Sequence, residues 1–268
     1  MEIHKPKPIR NWREFLKELG TIALGVGIAL AAEQAVEWWH WRGQVQQARE
    51  VIATELAANI ASAAVRVRTS GCAERRLDEL AQILDAAAKK GSLPPLGKIA
   101  IPPRFIWPTG AWDSVIASQT ATHFPRQQLA DMAGVYKFVQ RLEEYSGREV
   151  ETWETLFSMV GPGRRLDPAS EADLRKALSS ARYTTDVMAA LGLQMTERIQ
   201  VLGLPFSQAD LDSIAAARRE PAKPSPICLP IGPAFAFYGQ ATDLVSPGQK
   251  LMRLDKALKN LRAISHDS

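Results

Sequence analysis

The sequence predicts an all-α protein in which an N-terminal transmembrane helix continues into a long helix, packed in an extracytoplasmic antiparallel helical bundle with Pro-rich connections. Three observations carry this expectation. Leu19 to Ala32 are fourteen consecutive positions without a charge. Apolar residues then recur at spacings of three and four through most of the chain. No strand-like alternation of useful length competes, although short extended pieces are expected near Ile99 to Ile101 and Phe235 to Tyr238. With 268 residues, 46 % apolar and 23 % charged, the composition is that of a globular protein rather than a disordered or polytopic one. The first eighteen residues hold five Lys/Arg against three Glu, so of the net +4 only about +2 is left for everything else. That is too little for a nucleic-acid surface.

The apolar run is shorter than the roughly 20 residues a spanning helix needs. Counted outward from Phe15 to Trp39, it covers about 37 Å as a helix, enough to cross a bilayer with some tilt. Trp38, Trp39 and Trp41 suit an aromatic belt at one interface, and Trp12 and Phe15 the other. A buried soluble helix leaves both the Trp cluster and the basic lead-in of Lys5, Lys7, Arg10, Arg13 and Lys17 without a cause. A cleaved signal peptide fits Ala29-Leu30-Ala31, but not the long leading segment with Glu14 and Glu18 or the glycines Gly20, Gly25 and Gly27. An uncleaved anchor is therefore favoured. The excess of basic residues ahead of the span keeps the amino terminus cytoplasmic and places the bulk in the periplasm of a bacterial inner-membrane protein. The expected organisation is a cytoplasmic basic segment 1–18, an anchor 19–41, a helical bundle 42–220, and a Pro-rich segment with a C-terminal helix over 221–268.

Beyond the anchor, Val45, Ala48, Ile52, Leu56, Ile60 and Ala64 predict a continuing amphipathic helix to about Arg68, broken at Gly71. A second helix carries Leu77, Leu80, Leu84 and Ala87 and ends at Gly91. Five prolines between 92 and 110 predict an extended connection, after which Thr109-Gly110 caps a short helix bearing Trp112, Val115 and Ile116. Pro125 opens the next helix, with Leu129, Met132, Tyr136, Val139 and Leu142, then Val150, Trp153 and Phe157, stopped by Gly161-Pro162-Gly163. Ser170 with Asp173 has capping-box spacing ahead of a helix of about thirty residues that runs to Leu202. Ser207 with Asp210 repeats the signal. Six prolines lie between 221 and 247, and Leu251, Leu254, Leu258 and Leu261 mark a basic closing helix.

The run from Glu18 to Gln34, followed by the Trp cluster, resembles the opening of a family of uncharacterised bacterial single-pass membrane proteins, whose signature is an acidic residue, a short Ile/Gly/Ala/Leu-rich span, then Gln or Asn and Trp before a long helix. Ala111 to Ser118, followed by Val135-Tyr136, is similar to the outer helical domain of that family. The resemblance implies a topology and no activity.

Chemical motifs are sparse. No nucleophile elbow, zinc-protease helix, phosphate-binding loop or Cys-x-x-Cys occurs, and His4, His40, His123 and His266 fall in separate segments, so neither an enzyme nor a metal or other cofactor is expected. Asp113, Ser118 and His123 are spaced so that they do not share a helix face. Cys72 and Cys228 are candidates for a disulfide in an oxidising compartment, the other reading being two buried thiols. Glu33 and Glu37 are acids within or beside the span, read as interfacial, or as a proton relay through Glu33 in a proton-coupled partner subunit. Ala23, Gly27 and Ala31 form small-x-x-x-small pairs suited to close helix association in lipid. Arg104, Trp107, Trp112 and Trp153 are candidates to line a pocket. These features favour a membrane-anchored interaction or scaffold module whose partners are the bilayer and another protein or a second copy, with a ligand-sensing ectodomain as the alternative.

Overall fold

The computed structural model describes residues 12–219 and 221–232, and 78 % of those residues are helical. Among the described residues there are five α-helices: α1 (Trp12–Lys90), α2 (Gly110–Ala117), α3 (Arg126–Phe157), α4 (Pro168–Gln200) and α5 (Gln208–Arg218). Single 3-10 turns cover Gln119–His123 and Pro226–Cys228. The one sheet among the described residues pairs two-residue strands, β1 (Ser92–Leu93) antiparallel with β2 (Arg164–Arg165). The expected extension over Ile99 to Ile101 forms no strand, and Ala100 there has a positive φ of 38°. Phe235 to Tyr238 and the stripe Leu251 to Leu261 lie outside the described residues.

The break expected at Gly71 does not occur: α1 is one helix of 79 residues, about 118 Å at 1.5 Å per residue. A glycine inside a helix costs only about 1 kcal/mol relative to alanine, and the side chains flanking Gly71 repay it. Thr69, Ala73 and Leu77 are all buried. The helix ends where Gly91 takes a positive φ of 72° after Lys89 and Lys90, a favourable basic last turn. Helix α4 starts earlier than the Ser170 spacing implies. Asp167 is its N-cap, accepting from the backbone N–H groups of Ala169 and Ser170, with Pro168 in the first turn. Ser207 and Asp210 do form the capping box of α5. Thr109 does not cap α2 through its side chain, which donates instead to Asp113 Oδ2 at 2.8 Å.

Helix α4 packs on both α1 and α3, and α5 packs on α1. Cross-helix partners give the directions. Going up α4, Arg175 meets Asp85, Arg182 meets Asp78, and Gly192 meets Ala63, so α4 runs antiparallel to α1. Side chains joining α1 to α3, Glu55 with Tyr136 and Arg66 with Glu149, advance together, so those two helices are parallel. Two apolar clusters result. One is built on Ile52, Leu56, Ile60, Trp112, Met132, Tyr136, Val139 and Met195, the other on Leu77, Leu80, Leu84, Ile99, Trp153, Leu156, Leu174 and Ile227. Between them lies a layer of buried polar side chains from three helices: Arg66 and Thr69, Glu149, and Thr184 and Thr185. The amino-terminal third of α1 belongs to neither cluster.

Candidate functional site

One helix among the described residues is long and apolar enough to cross a membrane, and none of its most apolar window is buried. Leu19, Ile22, Leu24, Val26, Ile28 and Leu30 are exposed on all sides of α1, and nothing stands within 4 Å of a Cβ placed on Gly20, Gly25 or Gly27. Ala23, Gly27 and Ala31 share that bare surface, as do Glu33 and Glu37. An isolated helix with apolar residues around its whole circumference is suited to a lipid environment or a partner helix, because water on every face would leave each side chain hydrated at about 25 cal/mol per Å².

Among the described residues, the first ring contact between α1 and the rest of the fold is made by Trp41. Trp41 stacks on His123 with ring centroids 3.9 Å apart and planes 13° from parallel, and its indole N–H points at Glu37 Oε1 at 3.4 Å. The Arg42 guanidinium sits 5.0 Å over the Trp38 ring. These side chains with Gln34 and Val45 border an open recess of about 470 Å³.

A second concavity, about 700 Å³, lies between α1, the end of α4 and α5. Its walls are largely apolar, with Ala63 and Val67 from α1, Leu193 and Ile199 from α4, and Leu211 and Ile214 from α5. Arg68, Arg218 and Glu197 stand at its border. Gly192 allows the close helix approach beneath it, since a Cβ there falls 3.1 Å from Ala63 Cβ. Arg68 is spent on structure, donating to the carbonyls of Ala217 and Arg219 at the end of α5.

Arginines on α1 hold the other irregular segments the same way. Arg49 donates to the Gly203 carbonyl at 2.8 Å, and Arg76 to the carbonyls of Ile99 and Leu229. Arg66 donates to Glu149 Oε1 at 2.6 Å and to the Pro103 carbonyl at 3.2 Å. Both members of that ion pair are almost fully buried. Burial pushes the Glu149 carboxyl above its ordinary range, while the charges of Arg66 and Arg104 pull it back. Glu55, also on α1, accepts from Tyr136 Oη at 2.6 Å and from the N–H groups of Ala111 at 2.7 Å and Trp112 at 3.3 Å, so an acid from another helix caps α2. Burial, then the hydrogen bond to Glu55, drives the Tyr136 phenol far above its usual range.

The four residues expected to line one pocket are divided. Arg104 and Trp153 share a recess of about 150 Å³ with Glu149 and Phe157. Trp107 and Trp112 belong to the other cluster, where Trp107 donates to Ser146 Oγ at 3.0 Å and Trp112 stacks on Tyr136 with centroids 4.9 Å apart. Cys72 and Cys228 are joined in a disulfide with Cα atoms 4.8 Å apart. Asp113, Ser118 and His123 are engaged separately, with Thr109, with the Val115 carbonyl and with Trp41. Among the described residues no three His, Cys, Asp or Glu side chains are grouped to hold a metal ion. The chain matches no known family, curated protein or solved structure.

Proposed function

We propose that this chain is a single-pass membrane protein whose helical bundle stands in the periplasm as an interaction or scaffold module. One observation supports the reading above the others: a single helix changes character along its length, bare and apolar on all faces before Glu33, and a core element after Val45. The disulfide between Cys72 and Cys228 suits an oxidising compartment. The basic lead-in ahead of the span favours a cytoplasmic amino terminus. Anchoring raises the local concentration of the module at the membrane, so that a weak interface becomes sufficient. Alanine and glycine on the bare helix support self-association as one form of that interaction.

A ligand-sensing ectodomain is the second reading, favoured by the groove between α1, α4 and α5, whose volume of about 700 Å³ falls in the range of small-molecule sites. The test of the principal reading is a reporter active only outside the cytoplasm, fused after Gly232, combined with alkaline extraction of membranes. An active reporter on a chain that stays in the pellet is expected. A silent reporter, or a chain released into the supernatant, refutes the topology.

A further inference from the structure

The recess at the tryptophans combines groups that a lipid boundary alone does not require. The hydrocarbon core takes about 20 helical residues, so a span beginning at Phe15 leaves the acyl region near Gln34, and the headgroup layer adds roughly 5–8 Å beyond it. At 1.5 Å per residue Glu37 and Trp38 stand about 5–6 Å beyond Gln34, at headgroup height, and Trp41 and Arg42 about 10–12 Å beyond it, at the outer edge of that layer with side chains that lean back toward it, on the membrane reading given above, on which this inference rests. The recess they border is about 470 Å³. Its second wall comes from a different part of the chain. The 3-10 turn Gln119–His123 brings His123 onto Trp41 at 3.9 Å.

The charges are paired rather than of one sign. Arg42 offers a planar guanidinium held over Trp38, and helical side chains lean toward the amino terminus, here toward the bilayer. Glu37 offers a carboxylate one helical turn below Trp41, whose indole N–H reaches it at a long 3.4 Å. A purely anionic headgroup gains from Arg42 and is repelled by Glu37. A headgroup with a phosphate and an ammonium satisfies both, the phosphate on the Arg42 guanidinium and the ammonium on Glu37 beside the tryptophan rings.

The geometry points to a binding site for a zwitterionic phospholipid headgroup, built from Glu37, Trp38, Trp41, Arg42 and His123, with Arg42 taking the phosphodiester and Glu37 the ammonium. Occupied, it ties the folded domain to the outer surface of the membrane at the point where His123 meets α1.

The test uses the full chain in nanodiscs containing equal phosphatidylethanolamine and phosphatidylglycerol, released into mild detergent and weighed by native mass spectrometry. Retained phosphatidylethanolamine should exceed phosphatidylglycerol by about fivefold, the ratio that corresponds to roughly 1 kcal/mol. Glu37→Gln should bring that ratio to about one or reverse it, by removing the ammonium partner and the repulsion together. Arg42→Gln should lower retention of both lipids by a similar factor of about five. All three chains should keep the wild-type circular dichroism melt, since both positions are exposed. Equal retention of the two lipids by the wild type, or an unchanged ratio in Glu37→Gln, overturns the site. Full competition by soluble glycerophosphoethanolamine at the same concentration overturns its assignment to a bilayer lipid. A chain that does not enter nanodiscs at all refutes the membrane reading instead.

Discussion

The buried pair Arg66–Glu149 yields a prediction whose sign depends on how many partners are removed. Both side chains are nearly inaccessible, 2.6 Å apart, and sit in the polar layer between the two apolar clusters. Replacing Glu149 leaves the Arg66 guanidinium charged, desolvated and alone, and replacing Arg66 leaves a desolvated Glu149 without its partner, each at a cost of about 3–5 kcal/mol. Arg66→Met and Glu149→Leu should each show that loss, a fall of roughly 10 °C in Tm for a domain of this size. Were the two independent, the double variant would lose about 6–10 kcal/mol. The double variant instead removes both desolvation penalties, and the remaining debit is the Pro103 carbonyl, which loses its Arg66 donor at about 1–3 kcal/mol. A coupling of at least about 3 kcal/mol is expected from chemical denaturation of the four full-length chains in one detergent. The pH dependence is a second readout. Glu149 is raised in the folded protein, chiefly by burial, so its contribution to stability is fully present below the ordinary carboxylate pKa and declines as pH rises through the folded value. The deficit of Glu149→Leu relative to wild type should therefore be greatest in acid and shrink toward neutrality. Additive losses in the double variant, or a deficit that grows with pH, would refute the reasoning.

Further outcomes follow from the same contacts. The disulfide closes a loop of separation 156, which by the chain-entropy relation constrains the unfolded state by up to about 5 kcal/mol. Cys228→Ser should lower the denaturation midpoint accordingly and abolish the faster migration of the unreduced chain on a gel. Tyr136, with its pKa raised by burial and by Glu55, should stay protonated after exposed tyrosines ionise, so stability is lost as pH climbs above about 10. Phenolate absorbance should then appear for this residue only together with loss of helical circular dichroism. Earlier, reversible ionisation of every tyrosine in the folded chain would contradict the Glu55 contact. Gly192→Val should overpack the α1–α4 crossing, where even one carbon falls 3.1 Å from Ala63, and cost about 1–3 kcal/mol in the same denaturation assay. A variant as stable as the wild type would show that the two helices yield there.

Helical periodicity made most of the architecture legible, because it records which face meets the core without regard to what that core is. It also held the information that Gly71 does not break α1. Asn59, Ala63, Arg66, Ala73, Leu77, Leu80, Leu84 and Ala87 are all buried and keep three-four steps in phase across the glycine. Local breaker propensity, worth about 1 kcal/mol, yields to that many buried contacts. The same phase puts Arg66 on the buried stripe, which a charge-free reading of the stripe passes over. The paired acid, Glu149, lies 83 residues away on another helix, and nothing local couples the two positions. Glu55 as the cap of α2 is equally silent in sequence, since the acid and the N–H groups it serves are 56 and 57 residues apart. The pocket expected from Arg104, Trp107, Trp112 and Trp153 failed for a related reason. Residue type alone groups these side chains, whereas the fold places Trp107 and Trp112 in one apolar cluster and Trp153 in the other.

The continuity of α1 bears on what fills the groove beneath α5. No turn interrupts the helix between the apolar segment and Ala63, so on the membrane reading the groove is carried at a set height. From Gln34 to Ala63 that height is about 44 Å at 1.5 Å per residue, less whatever tilt the helix adopts. The headgroup layer is only about 5–8 Å deep, so acyl chains of the same leaflet do not reach this surface. On that reading the proposed lipid contact is confined to the recess at Trp41, and the groove is left open to solutes or to another protein. On the proposed reading the two concavities have separate roles: the lower one would register the domain against the bilayer, and the upper one presents an apolar surface with Arg218 and Glu197 at its edge. An interaction module requires the second to be displayed clear of the membrane, and an uninterrupted helix does this without the entropic cost of ordering a flexible linker at each encounter.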